Sequence, residues 1–96
     1  MKLVYVAMPY GGYPENYDRA KRKVSILTEH YKDMFFISPI LAFGHMYNTV
    51  DYDVGMDMCL TLLEKCDEVW VFYGHSKGVN REIAHAVKCG IPVVEW

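Results

Sequence analysis

The chain lacks several features that would decide its class at once. It has no CxxC pair, and its three cysteines, Cys59, Cys66 and Cys89, are an odd number that no full set of disulfides can absorb. Buried free thiols in a reducing compartment fit best, so the expected location is cytoplasmic. No two histidines or cysteines stand at a familiar ligand spacing, so no metal is expected, and no cofactor either. Apolar runs fall well short of the roughly 20 residues of a membrane span, and the N-terminal MKLVYVAMPYGG is broken by proline and glycine rather than built as a leader. Neither a membrane nor a leader peptide is expected. Charge of one sign is also missing. Ten basic against twelve acidic residues argue against a mainly electrostatic partnership with nucleic acid. The one basic cluster, RAKRK at 19–23, falls on the polar side of a helical pattern and reads as a solvated face. There is no linker, low-complexity stretch or repeat.

What is present is apolar patterning. Hydrophobic residues make up 52% of the 96 positions, enough for a single modest core and too many for a disordered chain. KLVYVAM (2–8) is a continuous β-branched and aromatic run stopped by PYGG, the pattern of a strand buried on both faces. A helix follows from Pro14, with Ala20, Val24, Leu27 and Tyr31 at helical spacing. MFFISPI (34–40) predicts a second strand stopped by Pro39, and 41–53 a loop with a short turn of helix. VGMDMCLTLLEKC (54–66) predicts a helix with Val54, Met58, Leu62 and Cys66 on one side. DEVWVFY (67–73) is the third strand, VNREIAHAVKCG a helix closed by Gly90, and IPVVEW (91–96) the fourth strand.

Alternating strands and helices predict one α/β domain over 1–96: a doubly wound, Rossmann-like parallel sheet of about four strands with helices on both faces. Right-handed crossovers favour the order 2-1-3-4. The chain then reverses direction between strands 1 and 3, and a ligand crevice opens at their carboxyl ends. The loops there are MPYGGY and YGHSKG. Tyr10 and Gly11 lie on the first; Tyr10 can stack on a ring or donate a phenolic hydrogen bond. The second leads into HSKGVNREIAHA. Ser76, Gly78 and Val79 surround a helix start whose unpaired amides suit an anion, although Gly78 also fits a plain turn and Ser76 or Asn80 a plain helix cap. Glu82 is expected in the first turn, where the helix dipole would favour its ionised form and lower its pKa. That state suits a nucleophile, and the same residue also fits a routine dipole partner. Asp57, with Asp53 one turn before it, is the best-placed second carboxyl to carry a proton; both also fit a polar helix face.

YVAMPYGG, ISPI, the helix carrying Asp57, and CDEVWVFYGHSKGVNREIAHAVKCGIPV together resemble the nucleoside 2-deoxyribosyltransferase superfamily. The resemblance covers nearly the whole chain, and its most specific part is S-x-G-x-x-x-E. It is similar in this respect to the branch that hydrolyses 2′-deoxynucleoside 5′-monophosphates. It implies that Glu82 attacks C1′, that Ser76, six residues earlier, touches a 5′-phosphate, that Asp57 serves the leaving base, and that Tyr5 orients the nucleophile. Met8 and Tyr10 depart from the superfamily's pattern, standing where a glycine and a basic residue are usual. The implied partner is a small nucleoside or nucleotide, and the implied assembly a homo-oligomer, a dimer or larger. The implied activity is cleavage or exchange of an N-glycosidic bond. A non-catalytic nucleotide-binding module, for sensing or sequestering, needs the same anion site without the nucleophile.

Overall fold

The computed structural model describes residues 1–96. Four strands, β1 (Lys2–Ala7), β2 (Met34–Ile37), β3 (Glu68–Val71) and β4 (Val93–Glu95), form one parallel sheet in the order β2-β1-β3-β4. The helices are α1 (Pro14–His30), α2 (Pro39–Phe43), α3 (Tyr52–Leu63) and α4 (Lys77–Lys88), with a single 3₁₀ turn at Gly44–Met46. The fold class and strand order are those expected from the sequence.

The two-residue period of the strands divides the interior into two cores. Val4, Val6 and Met8 of the first strand and its exit join Trp70 and Phe72 on one face, covered by Ala20 and Leu27 of α1 and Ile40 of α2. Tyr5 and Ala7 point the other way and join Val69 and Val71 under Leu63, Val79 and Ala86 of α3 and α4. Because successive residues of a strand face opposite sides, Tyr5 is directed at the α3–α4 layer by parity alone. Register then aligns Tyr5 with Val69 and Ala7 with Val71.

Three expectations are corrected. Pro39 does not merely stop the second strand; it opens α2, with Ser38 as N-cap accepting from the Leu41 amide. Proline is favoured at a first helical position because its missing N–H would be unpaired there anyway. The helix α3 starts at Tyr52 and is turned relative to expectation: Met56 and Leu63 are buried while Val54 is exposed. VGMDMCLTLL is apolar nearly all round, so its period leaves the buried face undetermined and packing selects it. Finally, α4 starts at Lys77 with Ser76 as N-cap, so its first turn holds no acidic residue and Glu82 lies in the second turn.

Candidate active site

A cavity of about 470 Å³ opens where the loop after β1, the segment around α2, one side of α3 and the start of α4 meet. This is the crevice at the carboxyl ends of β1 and β3. Past β3 the chain takes left-handed backbone at Tyr73 (φ 64°) and Gly74 (φ 81°) before Ser76 begins α4. A left-handed non-glycine residue costs roughly 1 kcal/mol or more. The Arg19 guanidinium lies 4.7 Å from the centre of the Tyr73 ring and helps hold it there.

The chemical centre is the pair Glu82–Tyr5. Glu82 is 5% exposed and lines the cavity from α4. Tyr5 is wholly buried beneath it and donates its hydroxyl hydrogen to a Glu82 carboxylate oxygen. Burial pushes the Glu82 carboxyl up to about 7, against the lowering effect of the Tyr5 hydrogen bond. The fall expected from the helix dipole is thus reversed. The dipole acts within the first turn, Glu82 lies beyond it, and removing a carboxylate from water penalises its charged form. Burial, followed by the charge of Glu82, drives the Tyr5 phenol well above its ordinary value, which keeps it a donor.

Ser76, Gly78 and Val79 all border the cavity. The Ser76 hydroxyl accepts from the Val79 amide at 3.2 Å, so it caps the helix while facing the cavity. A Cβ on Gly78 would come within 3.2 Å of the Met56 methyl, so glycine here permits the close approach of α3 to α4. The amides of Lys77 and Gly78 open the helix without intrahelical partners. Lys77 is the only cation on the cavity wall. Tyr10 and Gly11 line the opposite side. The Tyr10 hydroxyl is already committed, donating to the Gly44 carbonyl at 3.1 Å, and its ring meets Tyr47 edge-on.

The two aspartates do not join this group. Asp57 is exposed and borders, with Thr61 and Lys65, an adjoining depression that shares Phe43 and Met58 with the cavity. Asp53 is 86% exposed at its side chain and accepts from Arg81 at 3.2 Å on the outer surface. Both lie on the solvent side of α3 because Met56 and Cys59 take the inner side. Asp51, just before α3, is the carboxylate that does line the cavity, together with Glu82. Sequence reasoning also missed Cys59. Its thiol lies beside Glu82 and Tyr5 and is pushed up to about 11, by burial first and then by the Glu82 charge. The spacing Met56–Cys59–Leu63 marks the buried stripe of α3, a signal hidden by the other apolar residues of that helix. Methionines supply much of the remaining wall, Met8, Met46, Met56 and Met58 among them.

Comparison with known proteins is consistent with this architecture. No curated protein matches the chain. Among solved structures, a 2-desoxiribosyltransferase from Leishmania mexicana superposes with a TM-score of 0.74 at 18% identity. The match covers 100% of this chain and 64% of that one, so the present chain spans just under two thirds of the length of that protein. At this identity the likeness establishes the fold. Sequence similarity of the family kind runs from the first strand through the cavity loops and α4 to the last strand: residues 2–96 match the family described as "Domain of unknown function (DUF7768)", to which the chain belongs.

Proposed function

We propose that the protein cleaves or exchanges the N-glycosidic bond of a deoxynucleoside or its 5′-monophosphate, with Glu82 as nucleophile. The observation that carries this reading is the buried Glu82 carboxylate, held by the Tyr5 hydroxyl at the wall of a cavity large enough for such a ligand. The fold shared with a 2-desoxiribosyltransferase supports it. Ionised Glu82 attacks C1′ as the bond to the base nitrogen breaks, and the bonding electrons leave with the base through an oxocarbenium-like transition state. Water, or a second base, then resolves the glycosyl-enzyme. Tyr5 fixes the orientation of the attacking oxygen. Ser76, Lys77 and the amides at Gly78 hold the 5′-phosphate, while the methionine and tyrosine wall receives the base. The proton for the leaving base is assigned to Asp51, the other carboxylate on the cavity wall, in place of Asp57.

A second reading, nucleotide binding without chemistry, draws on the solvent-facing position of Asp57 and on the protonated share that Glu82 carries near neutral pH. Incubation with a panel of deoxynucleosides and their 5′-monophosphates, followed by chromatography for free base, separates the two. Release by the wild type with a loss of at least about 100-fold in Glu82→Gln supports the enzyme. Nucleotide binding in both proteins without release in either supports the binding module.

A further inference from the structure

The far end of the α3–α4 pair carries a second constellation, independent of the cavity. Glu64 is the C-cap of α3 and Cys89 the C-cap of α4. His85 precedes Cys89 by four residues, about one helical turn, so the two side chains share a face. Glu64 meets that face from the neighbouring helix, its carboxylate 2.7 Å from the His85 Nε2. The potential ligand atoms of Glu64, His85 and Cys89 all lie within 4.8 Å of one another.

The geometry points to a divalent transition-metal site of the zinc type, made by Glu64, His85 and Cys89, with a fourth position open to water or an external ligand. One imidazole, one thiolate and one carboxylate form a nitrogen, sulfur and oxygen set that suits Zn²⁺ or Co²⁺. A thiolate is a poor ligand for Mg²⁺ or Ca²⁺, which take oxygen. Bonds of about 2.0–2.3 Å place the ligand atoms of a tetrahedral ion roughly 3.3–3.8 Å apart. The present spread is wider than that, and Glu64 and Cys89 are both exposed, so their side chains are the ones to rotate on binding. Two helix C-termini converge here, and their partial negative charge favours a cation. On binding, the ion takes the Cys89 thiolate as its thiol proton leaves to solvent, and it separates the His85–Glu64 contact by bridging it.

Along α4 the site begins at His85, three residues or about 4.5 Å of helical rise past Glu82, and ends at Cys89, about 10 Å past it. It ties together the two helices whose opposite ends form the cavity wall. This departs from the expectation of no metal drawn from the sequence, which passed over His85 and Cys89 one turn apart; Glu64 is 21 positions before His85 and arrives only by packing.

The test is titration of the reduced, chelator-treated full chain with Co²⁺. One equivalent is expected to produce thiolate-to-cobalt charge-transfer absorption, which Zn²⁺ abolishes by displacement. Cys89→Ser is expected to lose that band. His85→Ala and Glu64→Gln are expected to weaken Co²⁺ binding by at least about tenfold, since loss of outer-shell partners alone costs roughly 10- to 100-fold. Circular dichroism verifies the fold of each variant, all three positions being at least partly exposed. Absence of the band in the wild type, or its full retention in Cys89→Ser, overturns the assignment.

Discussion

In the second turn of α4, Glu82 exchanges hydration for one hydrogen bond from Tyr5, and its ionisation is set by that exchange. Its carboxyl titrates near 7 in the folded chain and near 4.5 when unfolded. Below about pH 4.5 both states hold the proton and the full stability is present. Between 4.5 and about 7 the unfolded chain releases the proton more readily, so stability falls as pH rises, and above 7 the loss is complete. At about 1.4 kcal/mol per pH unit the loss is roughly 3 kcal/mol. Urea denaturation of wild type and Glu82→Gln across pH 4.5 to 8 checks this, because the difference between them cancels every other titrating group. The wild type is expected to decline relative to the variant; parallel curves would contradict the burial account. Glu82 stood out as a candidate in the sequence through the family resemblance and its six-residue distance from Ser76. Its raised pKa did not, because burial depends on Tyr5 and Cys59, 77 and 23 positions away.

At the scale of elements, the existence and order of strands and helices were legible, whereas helix starts and helix faces were not. Ser76 sits in extended backbone and closes the start of α4 through the Val79 amide. Ser76→Ala is expected to cost about 1 kcal/mol, read as a lower urea midpoint with unchanged slope; no shift would mean that the hydroxyl does not cap in solution. The same logic explains Ser38 and Pro39 at the start of α2, a cap and a first-turn proline that the apolar run MFFISPI masks in the sequence. For α3 the mask is deeper. Asp57 is one position from Met56, and a rotation of the helix by about 100° per residue decides whether aspartate or methionine enters the cavity. Met56, Cys59 and Leu63 take the inner side of α3, with Met56 against Gly78, and leave Asp57 on the outside.

Across the whole molecule the sheet acts as a partition. Val4 belongs to the α1 side and Val79 to the α4 side, with no shared cluster. Val4→Ala and Val79→Ala are each expected to cost about 2 kcal/mol. Their double variant is expected to match the sum within about 0.5 kcal/mol, since independent sites add; a larger coupling in urea unfolding would show that the two cores behave as one. The partition also explains which parts of the molecule could be known in advance. The alternation of buried runs with helical segments determined an α/β sheet, its order and therefore the crevice, because handedness and parallel pairing leave few other arrangements. Parity along β1 even directed Tyr5 toward the layer that holds Glu82. Tertiary structure alone decided the company Glu82 keeps: Tyr5 and Cys59 beside it, the exposed Asp51 at the cavity wall, Asp53 and Asp57 outside, and Glu64 brought to His85 and Cys89. A one-dimensional pattern records how often apolar residues recur, whereas the rotation of a helix about its own axis is set by the surface it packs against.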